Sequence, residues 1–168
     1  GVPYIRTGDI KNGKILEHKL LQTTIEIAKS YKRSQCSTGD IIMSIRATVG
    51  TIALLPESLN GANLTQGTAR ISVDPDKAST IFMKYCIQSK GIQLKIAMQT
   101  KGATFKEITL TRLRNISVPI PSLKIQNKFA ERVTQIEKQK QQAEASLLKA
   151  EKLFSSLLQR AFKGELTS

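Results

Sequence analysis

From Leu123 to Phe162 the chain reads LKIQNKFAERVTQIEKQKQQAEASLLKAEKLFSSLLQRAF, without a single glycine or proline. Lys, Gln, Glu, Ala and Leu dominate it, the residues that lose least on entering a helix. The spacing predicts one uninterrupted helix. Pro119 and Pro121 stop whatever precedes it, Ser122 suits the N-cap, and Gly164 suits the C-terminal stop. Forty helical residues span roughly 60 Å, too long to lie along a domain of this size without projecting.

The middle of this run, QIEKQKQQAEASLL (Gln135–Leu148), is poor in core-building side chains, yet it keeps a pattern. Phe129, Ile136, Ala143, Ala150 and Leu157 recur every seven residues. Val133, Lys140, Leu147, Phe154 and Ala161 form the second series, alternating four and three with the first. Nine of these ten positions are apolar, sustained over more than four heptads, which predicts a coiled-coil seam. Lys140 is a polar break that fixes register at a cost in stability. No second helix of comparable length exists in the chain to fill the seam, so the partner helix is expected from another chain. A lone charged helix in solvent has no reason to keep a seam. Further on the stripe widens through Leu147, Leu148, Leu153, Phe154, Leu157, Leu158 and Phe162. That is more than one helix buries, so a second contact is expected there.

Residues 1–121 have a different texture, that of a mixed domain of short strands and helices. DIIMSIR (Asp40–Arg46) and GTIALLP (Gly50–Pro56) read as the arms of a hairpin. TTIEI (Thr23–Ile27), GTARISV (Gly67–Val73) and NISVPI (Asn115–Ile120) are further strand candidates. Asn60-Gly61 and Asp74-Pro75 signal turns. Asp76 is the expected cap of a helix through KASTIFMKYCIQS, with a second short helix in GIQLKIAMQ. The fold class expected is α+β: a strand-rich domain over 1–121, a long helix over 122–163 and a tail over 164–168.

Charge narrows the function. Of 168 residues, 26 are Lys or Arg against 13 Asp or Glu, a formal net charge of +13. Residues 1–121 alone hold 17 basic and 8 acidic side chains, and six lysines with no acid lie between Lys77 and Lys106. Such a chain repels itself unless a polyanion neutralises it, which points to nucleic acid. No stretch approaches a membrane span, and GVPYIRTGDI lacks a signal-peptide layout. Cys36 and Cys86 match no metal or redox spacing and read as free thiols in a reducing cytoplasm.

Catalytic patterns are scarce. His18 is the one histidine, with no ligand or base near it in sequence. GDIKNGKI (Gly8–Ile15) matches the glycine and lysine positions of a phosphate-binding loop. However, Ile15 stands where Ser or Thr must meet magnesium, so a glycine turn between two strands is the better reading. These observations favour a binding module without catalytic residues or a metal site.

PYIRTGDI (Pro3–Ile10), GDIIMSIRATVGTIALLP (Gly39–Pro56), KGATFKEIT (Lys101–Thr109) and LRNISVPIPSLKIQNKFAERV (Leu113–Val133) occur in that order, ahead of LLQRAFKGEL. The ordered set resembles the specificity subunit of type I restriction-modification enzymes, over nearly the whole chain. The resemblance implies a target recognition domain that grips one half of a bipartite double-stranded DNA site, followed by a spacer helix that pairs antiparallel with an equivalent helix. It implies a methyltransferase subunit that flips the target adenine, and room for an ATP-dependent restriction subunit. It implies no cofactor on this chain, S-adenosylmethionine, magnesium and ATP belonging to the partners. Members of that family carry two recognition domains and two spacer helices, with some tens of residues ahead of the first motif. One domain and one helix here fit a natural half-subunit, a truncated gene product or a fragment, and a half-subunit is expected to form a homodimer. A coiled-coil scaffold and a general nucleic-acid binder remain the competing readings.

Base readout needs bidentate donors and acceptors, and phosphate contact needs positive charge. The expected DNA-contacting residues are Arg6, Thr7, Lys11 and Asn12 around the first glycine turn and Arg46 and Thr48 at the hairpin end. Gln66 stands before a strand, and Lys101, Thr104 and Lys106 surround Gly102. Arg46 equally suits a lock on the hairpin.

Overall fold

The computed structural model describes residues 1–165, so residues 166–168 of the expected tail lie outside the described chain. In order, the strands and helices are β1 (Val2–Ile5), β2 (Ile10–Lys11), β3 (Lys14–Ile15), β4 (Leu21–Thr23) and α1 (Ile25–Ser30). There follow β5 (Ile41–Ser44), β6 (Ile52–Leu54), β7 (Asn63–Leu64) and β8 (Thr68–Ile71), then α2 (Thr80–Gln88), α3 (Lys90–Gln99), α4 (Leu110–Arg114) and α5 (Leu123–Phe162). Short strands are followed by a long C-terminal helix, the α+β class expected.

The strand β5 organises the first part. It is the middle strand of a three-stranded sheet, order β6-β5-β8, antiparallel on both sides. Successive side chains of a strand point to opposite faces. Ile41 and Met43 therefore join one core with Ile52, Ala69 and helix residues Met83, Ile87, Ile92 and Ile96. Ile42 joins the other with Ala53, Leu55, Ile5, Ile10 and Ile15. A strand covered on both faces needs apolar residues at every position, which is why this one does not alternate. On the second face lie the sheet of order β4-β1-β7 and the small hairpin β2–β3. The hairpin turn holds Asn12 at φ 52° and Gly13 at φ 74°. Two successive left-handed residues of Asn-Gly type make a tight two-residue connection, so Gly8–Ile15 is a strand turn and no phosphate loop.

Three local expectations are corrected, and one helix is added. TTIEI is no strand: β4 ends at Thr23, and Thr24 caps α1, its side chain accepting from the Ile27 N–H at 3.2 Å. Glu26, Ala28 and Lys29 favour the helix over the β-branched pair. Asp76 does not cap α2, because Asp74 uses its side chain and carbonyl to turn residues 74–78 first. Ser79 takes the role instead, accepting from the Phe82 N–H at 3.4 Å. Among the described residues NISVPI pairs with no strand; Pro119 lacks the N–H that a ladder needs. The helix α4, with Thr109 as its cap, was not expected at all.

The chain divides into two compact units, Gly1–Asn127 and the residues from Lys128 onward. In the first, Gln126 is fully buried. Its Oε1 accepts from the Ser79 N–H at 2.9 Å, and its Nε2 donates to the carbonyls of Pro121 at 2.7 Å and Lys77 at 3.5 Å. Buried amides persist when their hydrogen bonds are met, and here one side chain joins three chain segments. In the second unit no described residue is buried. Along the expected seam, Ile136 and Leu147 are each 60% exposed, and Lys140, Ala143, Ala150, Phe154 and Ala161 are also exposed. Phe129, Val133 and Leu157 are the more covered of the series.

Candidate nucleic-acid interface

Most of the expected DNA-contacting residues gather where the β5–β6 connection, the approach to β8 and the loop after α3 meet. Lys101 and Glu107 exchange backbone hydrogen bonds, Lys101 N–H to Glu107 O at 2.8 Å and Glu107 N–H to Lys101 O at 2.9 Å. Two further bonds tie this loop to the strand end, Ala47 N–H to Lys106 O at 2.9 Å and Ile108 N–H to Ile45 O at 3.0 Å. Arg46 Nε donates to Glu107 Oε1 at 3.0 Å across the same junction. Arg46 thus acts as a lock between the hairpin and the loop, with 48% of its side chain still open to solvent.

The backbone here is held in uncommon conformations. Ala47 sits at φ 58°, a region that a side chain with Cβ enters only at a cost of about 1–3 kcal/mol when its surroundings hold it there. Its bond to Lys106 supplies part of that hold. Beneath it, Ser44 is buried. Its hydroxyl donates to the Arg46 carbonyl at 2.8 Å and accepts from Thr48 Oγ1 at 3.1 Å. The Thr48 hydroxyl is therefore turned inward, onto Ser44. Gly67 lets a third segment close in: a Cβ there would lie 2.7 Å from Thr7 Cγ2 and 3.7 Å from Arg46 Cβ. Thr7, Arg46 and the neighbour of Gln66 are thereby brought together. Gln66, Lys101, Thr104 and Lys106 are exposed.

Arg6 stands differently. Its Nε donates to Asp9 Oδ2 at 3.0 Å and its Nη2 to Asp9 Oδ1 at 2.9 Å, a two-pronged ion pair. The Arg6 N–H adds a third bond to Oδ2 at 2.9 Å. Burial drives the Asp9 carboxyl upward, but the Arg6 bonds and the charges of Arg6 and Lys19 together hold it below its ordinary range. The fork of Arg6 is thus occupied by the fold. Lys11 and Asn12 are exposed at the β2–β3 turn, where the adjacent Gly13 faces Gln88 of α2.

Two features were missed in sequence. One is Glu107, whose role depends on a pairing 61 residues away in sequence. The other is a cavity of about 1250 Å³ lined by Gln66, Asn63, Arg70, Met43, Ile87 and Ile116, among others. Asn63 Nδ2 donates to Ala28 O at 3.2 Å, while its buried Oδ1 has no partner among the described residues. That free group is an acceptor, which cannot bond a phosphate oxygen. Elsewhere, burial pushes the Cys36 thiol up to about 12, so it stays protonated and unreactive. His18 is exposed. Among the described residues no group of His, Cys, Asp or Glu side chains converges to hold a metal, and no helix is long and apolar enough to cross a membrane.

Residues 1–150 match the family model described as the type I restriction modification DNA specificity domain. The specificity subunit of the type I restriction enzyme EcoBI from Escherichia coli is 30% identical over 172 residues, covering all of this chain and 36% of that protein. A putative type I restriction enzyme MjaX specificity subunit from Methanocaldococcus jannaschii is 30% identical over 165 residues, 94% of this chain and 35% of that protein. The chain thus spans about a third of the length of these curated relatives. In fold it is similar to the crystal structure of the HsdS subunit from Thermoanaerobacter tengcongensis. The TM-score is 0.69 at 20% identity, over 95% of this chain and 42% of that one.

Proposed function

Since this chain belongs to the type I restriction-modification DNA specificity domain family, we propose that it reads one half of a two-part DNA site and does no chemistry itself. The observation that carries this reading is the pinned junction of residues 44–48, 66–67 and 101–107. It presents Arg46, Gln66, Lys101, Thr104 and Lys106 on a chain of net charge +13. Base readout requires donors fixed in place, because a floppy Arg or Lys reads charge and not sequence. The double strand pairing and the Arg46–Glu107 bond supply that rigidity. Lys101 and Lys106 serve the phosphates. Thr48 and Arg6, whose polar groups are held by Ser44 and Asp9, act as supports in this scheme.

The heptad of α5 pairs with an equivalent helix of a second copy, forming a homodimer with two recognition units. The wider apolar stripe near Phe154 takes a second contact, with a methyltransferase subunit. That partner brings S-adenosylmethionine and flips the adenine, and a restriction subunit joins the same assembly in the cytoplasm. No cofactor is assigned to this chain.

Co-expression with an adenine methyltransferase subunit of a type I system, followed by sequencing of methylated sites, tests the role. One methylated bipartite motif is the expected result. Methylation without the chain, or with no motif in common, would remove it. Light scattering tests the pairing: a dimer is expected, and a monomer at micromolar concentration excludes it.

A further inference from the structure

We propose that Phe105 contacts DNA by stacking its ring on a nucleobase, an inference that rests on the DNA-reading role above. Phe105 lies within the loop closed by Lys101 and Glu107 and is 88% exposed. A lone exposed phenyl ring is ordinary in itself; what sets this one apart is its backbone. This backbone is not free. Two bonds close the loop on itself, two more tie it to residues 45 and 47, and the Arg46–Glu107 ion pair braces the base. Gly102, at φ 94°, lets the chain fold back so closely that a Cβ there would collide with the Phe105 carbonyl. The close turn at Gly102 thus carries an aromatic ring that is held out in solvent.

The neighbours of that ring say what it meets. Lys106 follows it directly and Lys101 closes the loop, at the end of a stretch with six lysines and no acid. Lysine is depleted in protein–protein interfaces, whereas alternating lysine and aromatic side chains are the makeup of nucleic-acid grooves. In grooves for single strands, cations follow the backbone while rings stack on bases. In a duplex the base faces are covered by their neighbours, so the ring reaches one by wedging into a base step, which costs unstacking and adds affinity with little choice of sequence. Sequence choice is left to Arg46 and Gln66.

The chain contains no tryptophan, so Phe105→Trp places a single indole at this position. Titration of the full chain with mixed-sequence duplex DNA should quench its emission in step with binding. Phe105→Ala should weaken duplex binding about tenfold with the salt slope unchanged. Lys106→Ala should instead lower that slope by about one. Phe105→Tyr should restore affinity, and none of these variants should lower the melting temperature of an exposed site. If the parent binds DNA in a salt-dependent way while the indole stays bright at saturation, or Phe105→Ala binds as the parent does, Phe105 is no base contact and the DNA-reading role stands. Quenching by the methyltransferase subunit in place of DNA overturns the assignment in the same way. If the parent shows no salt-dependent duplex binding, the DNA-reading role itself falls.

Discussion

The two units of this chain solve the folding problem in opposite ways. The first, Gly1–Asn127, is held by contacts between residues far apart in sequence. Ile41 and Ile42 are neighbours, yet each is fully buried in a different core. The second unit, from Lys128, buries none of its described residues. Its helix is held by bonds from one turn to the next, and most of its apolar positions stay exposed. The same kinds of apolar side chain thus stabilise the fold in one unit and stay mostly in solvent in the other.

The contrast is broken most sharply in the core. Ile42→Ala leaves a cavity between β5 and the β1 layer and should cost about 2–5 kcal/mol, read as a lower urea midpoint. Isolated alanine changes at exposed α5 positions such as Gln142 should stay within about 0.5 kcal/mol. If both changes cost alike, the division into a packed and an open unit is wrong. Lys140→Leu tests the other side. A leucine in a paired seam adds about 1.5–3 kcal/mol, so sedimentation equilibrium should show the dimer tightening at least tenfold. An unaltered association constant would place Lys140 outside any seam.

Gln126 sharpens the boundary between the two. Gln126→Ala strands the Ser79 N–H and the Pro121 carbonyl and should destabilise the first unit by about 1–3 kcal/mol. Gln126→Glu should recover the Ser79 bond but not those to the two carbonyls. A melting curve equal to that of the parent would make Gln126 a bystander. The smallest effect concerns acid. The folded Asp9 carboxyl lies below its ordinary range, so its contribution is present above the unfolded value near about 3.9 and fades as pH falls through the folded one. Urea midpoints measured from about pH 6 down to 2 should fall less steeply for Asp9→Asn than for the parent. Parallel curves would show that the Arg6 pair contributes nothing net.

Legibility in the sequence followed the same divide. The long helix, expected over 122–163 and found over Leu123–Phe162, was readable because glycine, proline and propensity act locally, and the β5–β6 hairpin because its two apolar arms are close in sequence. The helix start at Ser79 was not readable, since Asp76 and Ser79 are both good caps and the turn made by Asp74 decides between them. TTIEI was misread because its β-branched residues are the same ones that open α1. In the candidate interface, the motif residues Arg46, Lys101 and Lys106 were legible as a set. That Arg46 bonds Glu107, that Thr48 turns onto Ser44, and that the guanidinium of Arg6 is filled by Asp9 were not.

The sequence by itself determined that this chain has a long helix with a seven-residue apolar repeat, a strand-rich unit before it and a large positive charge. Each of these follows from composition or from spacing within a few turns. The tertiary structure decided which polar groups stay open to solvent and which are held by the fold. It also decided that the glutamine four residues into the helix closes the first unit, through a partner 47 residues away. Such assignments depend on which distant segments become neighbours, and hydrogen bonding at those distances has no signature in the local order of residues.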